Sequence, residues 1–242
     1  MKIKKIIPSL LIITMLLCGV AFNAFAMNTG FTTDDMELDE QQAFLSNINL
    51  SLVTEEPEKN AIDCFDVNDD GLIAIGSQNS TGKIISVYTS DGVFKYGYKF
   101  DCDGSFGVEW DNGNIIIYFV RSDIAASFDS AGINSEMKII QNTMENNSYW
   151  NHSVFSKQKT VNESQYTVKN DMGLLNVFAP SYSQLVKEDA DGSVITIYDV
   201  GGGYATSVVI ILIAVILFTV LVVSVLILRF KKAYKERMAS RQ

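Results

Sequence analysis

Six consecutive residues, Asp66-Val67-Asn68-Asp69-Asp70-Gly71, carry the donor order with which a calcium loop begins, D-x-N-x-D-G, with Ile73 at the apolar eighth position. Alternating oxygen donors ahead of a glycine wrap the chain around a hard cation, so Asp66, Asn68 and Asp70 are the metal candidates and calcium is the one cofactor the sequence suggests. The twelfth position is Ser77 where an acid would complete the site, and the following residues read as strand where the loop calls for helix. The same stretch also reads as an Asx-rich turn, and both readings stand.

Two other groups could carry chemistry. Cys64 and Cys102 are the cysteines beyond residue 26. In an oxidising compartment such a pair forms a disulfide. The four strands expected between them return the chain to the same end, and closing that loop stabilises by about 4 kcal/mol in the chain-entropy model. The other reading is two free thiols, or small buried apolar side chains. Tyr149, Trp150 and His152 stand in an Asn-rich stretch, 141–165, as contacts for a sugar or a peptide, or as aromatics folded back onto the body. His152 is the single histidine, no G-x-S-x-G occurs, and a histidine-rich metal centre is ruled out. The chain is therefore expected not to be an enzyme, although a hydrolase with paired carboxylates, such as Asp101 and Asp103, stays open.

The segment that must hold these groups in place relative to the cell is the apolar run Val208 to Leu228, 21 residues without a charge. At about 1.5 Å per helical residue it matches a hydrocarbon core about 30 Å thick. Arg229, Lys231, Lys232, Lys235, Arg237 and Arg241 follow, opposed by Glu236, a flank that stays cytoplasmic. At the other end, Lys2, Lys4 and Lys5, the apolar run from Ile6 to Phe22 and Ala24-Phe25-Ala26 form a signal peptide cleaved after Ala26. A lipoprotein signal using Cys18 is the weaker fit, since Leu17 precedes it. The expectation is a single-pass cell-membrane protein with its N-terminal domain outside: 1–26 signal, 27–60 acidic leader, 61–203 β-repeat domain, 206–229 membrane helix and 230–242 basic tail. The helix contains no GxxxG, so it gives no support to dimerisation through the membrane. With −9 on the whole chain, +3 in the signal and +5 in the tail, the exterior part carries −17. Such a surface excludes nucleic acid as a partner and favours cations or basic protein surfaces, if it is more than a solvated acidic face.

The leader, 27–60, contains one short helix from Asp39 to Asn47 and one alternating strand from Ile48 to Thr54. From Ile62 onward short β-branched runs alternate with turn signals, and three segments align: 65–100, 108–140 and 166–200. Each holds four strands with a first turn at Gly71, Gly113 or Gly173 and a second at Gly92, Gly132 or Gly192. The landmarks recur after 42 and 40 residues, then after 60, the extra length being an insertion in 141–165 with a hairpin turning at Asn162-Glu163-Ser164. About 40 residues and four antiparallel strands is the unit of a propeller blade. The expected fold is all-β: three four-stranded antiparallel propeller-like blades in a partial or open propeller, plus one C-terminal transmembrane helix.

The recurring strand, Asp/Asn-Gly, strand, Asp-Gly pattern from Ile62 to Val200 resembles NHL-type and TolB-type propellers. The whole layout resembles uncharacterised single-pass membrane proteins of Firmicutes. The resemblance implies binding of proteins, peptides or polymers through one face. Three blades fall short of the usual four to eight, and an open stack leaves strand edges that recruit partners. The function expected is a membrane-anchored binding or scaffold module of the cell envelope, with a protein partner or self-association; the alternatives are a ligand-sensing subunit of a membrane complex and a glycan hydrolase.

Overall fold

The computed structural model describes residues 27–80, 82–170, 176 and 182–239. The signal-peptide reading, Cys18 and the turn at Gly173 lie outside them.

The domain is three antiparallel sheets. The N-terminal segment supplies strand β1 (Thr33–Asp35), helix α1 (Leu38–Ile48) and strand β2 (Ser51–Val53). The first sheet follows as β3 (Ile62–Val67), β4 (Ile73–Asn79), β5 (Gly82–Tyr88) and β6 (Phe94–Phe100). The second comprises β7 (Phe106–Asp111), β8 (Asn114–Phe119), β9 (Ile124–Phe128) and β10 (Asn134–Ile140). A short helix α2 (Met144–Tyr149) and a wide turn, Trp150–Val154, lead to the third: β11 (Gln158–Val161), β12 (Ser164–Lys169), β13 (Gln184–Glu188) and β14 (Val194–Asp199). Helix α3 (Gly202–Ala239) closes the described chain, and its Thr206–Lys231 stretch is long and apolar enough to cross a membrane.

Three second hairpins repeat atom for atom. Thr89, Asp129 and Asp189 each donate N–H to the carbonyl four residues on, at 2.9, 3.0 and 2.9 Å, and each accepts from the glycine N–H three residues on, at 2.9 Å. Gly92, Gly132 and Gly192 take φ of 79, 78 and 81°, the left-handed conformation that glycine adopts without strain. This is the repeat expected from the glycine spacing, now seen as one turn built three times.

The sheets differ from the expected blades in strand count and, for the third, in frame. The first and second sheets have five strands, in the orders β2-β6-β5-β4-β3 and β1-β10-β9-β8-β7, and the third has four, β11-β12-β13-β14. The fifth strands come from the segment read as an acidic leader: Thr33–Asp35 pairs with Ile140–Lys138, and Ser51–Val53 with Lys99–Gly97. Phe31 and Ile48 of that segment are buried, so it is part of the body. The third sheet begins at Gln158, ahead of the expected Tyr166, because its first hairpin turns at Asn162 and Glu163, with φ of 49 and 66°. That pair makes a two-residue hairpin turn with no glycine, and a reading keyed to glycine placed the hairpin inside an insertion.

Layer order follows from the packed faces. One face of the first sheet, with Ala74, Ile85, Val87 and Tyr98, packs on Val108, Ile115, Ile117 and Phe128 of the second. Its other face, with Phe65, Ile73, Ile75 and Tyr88, packs on Tyr166, Val168, Leu185 and Ile197 of the third. The first sheet is thus the middle layer, which is why Ile73, Ala74 and Ile75 are consecutive and all buried. The far face of the second sheet, with Ile116, Tyr118 and Ala125, is covered by Phe31, Val154, Tyr149 and Trp150.

Candidate functional site

The first strands of the sheets, β3, β7 and β11, meet at the centre through one carboxylate. Asp66 on β3 accepts the Trp110 backbone N–H of β7 on Oδ2 at 2.7 Å, and its Oδ1 lies 2.7 Å from the Lys159 ammonium of β11. Both side chains of the ion pair are largely buried, at 14 and 13% exposure, and the ammonium lies over the Phe65 ring. Of the calcium candidates, Asp66 and Asn68 are thus engaged in other bonds. Lys159 provides the positive charge at Asp66, and Asn68 turns its Oδ1 onto the Leu72 N–H at 2.8 Å, closing an Asx turn with Gly71 at φ 77°. Asp69 and Asp70 stay exposed. Among the described residues no group of three or more His, Cys, Asp or Glu side chains is placed to hold a metal ion.

The opposite end of β3 opens into a cavity of about 920 Å³ between the first and second sheets. Its walls combine Lys83 at the start of β5, Asp63 at the start of β3, the β6–β7 connection with Asp101 and Asp103, and the rings of Phe106 and Phe155. Lys83 is buried, donates to Gln78 Oε1, and holds its ammonium 5.9 Å from the centre of the Phe106 ring. Asp63 keeps an exposed side chain, yet the cavity wall desolvates its carboxyl and pushes its pKa up, with Lys83 pulling the other way. Desolvation likewise raises the Cys102 thiol, again opposed by Lys83. A smaller cavity of about 310 Å³ shares Asp63 and Phe155 and runs on to Lys157 and Tyr182 by the third sheet. Together they form a polar groove across one end of the stack. Its main chamber has three carboxylates and one ammonium, with two aromatic walls, and can hold a small polar ligand carrying a basic group.

Cys64 and Cys102 are free thiols in the structure. Cys64 is buried between the first and second sheets, where burial drives its pKa far up, which makes it a poor nucleophile. Cys102 lines the cavity.

The aromatics named from sequence have separate places. Tyr149 and Trp150 fold back on the second sheet: the Phe31 ring centre lies 4.6 Å from each, and Tyr118 lies 5.6 Å from Trp150. Beneath them Glu109, a buried carboxylate on β7, accepts from Tyr118 Oη and from Tyr149 Oη at 2.6 Å. Burial and the Glu109 hydrogen bond push the Tyr149 hydroxyl up to about 12. His152 is exposed, with Nδ1 2.9 Å from the Ser148 carbonyl. The three are thus not brought to one surface. Lys83 and Asp63 were not foreseen, because in sequence they are single charges at strand ends.

The sequence matches no known family model and no curated protein. Among solved structures, one described as a streptogramin B lyase structure is 13% identical, with a TM-score of 0.27, over 62% of this chain and 45% of that one. The chain thus spans less than half of that protein, and a likeness so slight leaves the fold description resting on the sheets themselves.

Proposed function

We propose that the chain is a membrane-anchored binding module of the cell envelope, with the β domain outside, the basic tail in the cytoplasm and the groove at Lys83 and Asp63 as its ligand site. The observation that carries this reading is the 920 Å³ cavity whose buried ammonium and desolvated carboxyl face a common space on a rigid three-layer support. Groups held by packed strands are preorganised for a ligand, which lowers the ordering cost of binding. The NHL-like and TolB-like turn pattern supports a propeller-type module, and the six basic residues after the helix support the orientation.

The test is the thermal stability of the full chain in detergent against putrescine, glucosamine, lysine and inorganic phosphate. A basic ligand raises Tm, Lys83→Gln and Asp63→Asn change that rise, and phosphate has no effect. No shift with any probe, or a shift untouched by both substitutions, contradicts the assignment. The desolvated Asp63, which lines the same cavity as Asp101, also favours a second reading, a carboxylate-dependent glycan hydrolase. Turnover of wall glycan fragments that is lost in Asp63→Asn would select it.

A further inference from the structure

The first and second sheets each finish with a fifth strand on the outer side of their fourth strand, and the third sheet does not. β6 receives Ser51–Val53, and β10 receives Thr33–Asp35, both antiparallel and three residues long. Among the described residues, β14, the fourth strand of the third sheet, pairs with β13 on one side and with nothing on the other.

The repeat locates the vacant position. In the first sheet the fifth strand covers the fifth to seventh residues after Gly92, and in the second the sixth to eighth after Gly132. Counted from Gly192, the same place is Ile197 to Val200, directly before helix α3 at Gly202. Upstream of that place β14 exposes Val194 and Ile195, at 58 and 39%, whereas the side chains of Ile197 and Tyr198 within it are buried and leave only the backbone edge for pairing. Edge strands of this kind are templates for another chain.

Charge indicates what fits. In the second sheet the added strand brings an opposite charge: Lys138 of β10, which also meets Glu136 of its own strand at 2.9 Å, lies 2.7 Å from Asp35 of β1. In the third sheet the charges around the open edge are acidic. Asp199 ends β14, Glu188 ends β13, and Asp189 and Asp191 lie in the turn between them, with Lys187 already bound to Asp189 at 2.8 Å. A second copy would bring an equally acidic edge. We propose that the outer edge of β14 takes an extended segment with basic side chains from a partner protein as the missing fifth strand, next to the membrane. Main-chain hydrogen bonds supply the attachment and alternate basic side chains the selectivity. The proposal goes beyond the groove reading and does not depend on it.

The experiment is amide hydrogen exchange on the full chain in lipid nanodiscs, with the peptide Lys-Val-Lys-Val-Lys at millimolar concentration as the probe. The expected result is slowing of exchange by tenfold or more confined to 194–200, unchanged in Lys83→Gln. The same peptide N-methylated at alternate residues, and Glu-Val-Glu-Val-Glu, should leave exchange as it was. The proposal is overturned if no peptide protects β14, if the N-methylated peptide protects equally, or if the acidic peptide does. It is also overturned if protection appears without peptide and rises with chain concentration, since a second copy then occupies the edge. A groove that fails to bind its probes while β14 is protected removes the first proposal and leaves this one.

Discussion

The first two sheets and the third are built from the same turn, yet they end differently. Both faces of the first sheet are packed, the second is covered by Phe31, Tyr149 and Trp150, and both have their outer edges closed by strands from 33–35 and 51–53. The third buries one face against the first sheet and leaves its last strand open among the described residues. The glycine turns show the same contrast. A Cβ on Gly92 would lie 2.9 Å from the Ile197 carbonyl of the third sheet, and one on Gly132 would lie 3.3 Å from Leu50, but one on Gly192 would meet nothing within 4 Å among the described residues. The second hairpins of the first and second sheets dock on the sheet before them in the stack, and the third, first in that order, has no such neighbour among the described residues. Repetition therefore sets the fold of each layer, while residues outside the repeat decide which layers are finished.

The largest test of this contrast is the tie that joins the unfinished sheet to the others. Asp66→Ala leaves the Lys159 ammonium buried without its carboxylate, and is expected to cost about 3–5 kcal/mol. Urea unfolding measures it, and Asp66→Asn should cost less because the Trp110 N–H keeps an acceptor. An Asp66→Ala chain as stable as the parent would mean that the sheets hold together without this contact. Next come two substitutions with the same backbone strain in different surroundings. Gly192→Ala should cost about 1 kcal/mol, from the left-handed conformation alone. Gly92→Ala should cost about 1–3 kcal/mol more, from collision with the third sheet's backbone. Equal losses would show that the first hairpin does not bear on the third sheet.

The smallest effect is one of pH. The Asp63 carboxyl titrates higher in the folded chain than in the unfolded one, so the folded state holds that proton more tightly. Its contribution to stability is therefore full below the ordinary carboxylate range and declines as pH rises through the elevated value. Solvent screening of the exposed side chain keeps the change small. Asp63→Asn should flatten this part of the stability profile while the rest of the pH dependence is kept; an unaltered profile would mean that the cavity does not desolvate the group.

The repeat, the second turns and the long apolar C-terminal helix could be read in the sequence, because glycine at a hairpin and 21 uncharged residues are local signals. The third sheet's first hairpin was displaced because Asn162 and Glu163 adopt the turn without glycine. The leader could not be placed, since Thr33–Asp35 and Ser51–Val53 are three-residue strands whose partners lie about a hundred and about fifty residues away. The calcium-like motif drew attention to Asp66 through its oxygens, but its place between three sheets could not be read, because Lys159 and Trp110, which meet those oxygens, lie on β11 and β7, far away in sequence. The groove was illegible because Lys83 and Asp63 come together only when β3 and β5 are in one sheet.

Amide hydrogen exchange on the full chain in nanodiscs with no added probe tests the contrast most directly. Gly97 to Lys99 on β6 and Lys138 to Ile140 on β10, covered by their fifth strands, should exchange slowly, while alternate amides of Val194 to Asp199 exchange orders of magnitude faster. Equal protection of all three fourth strands in dilute protein would contradict the account, because the third sheet would then be as finished as the other two.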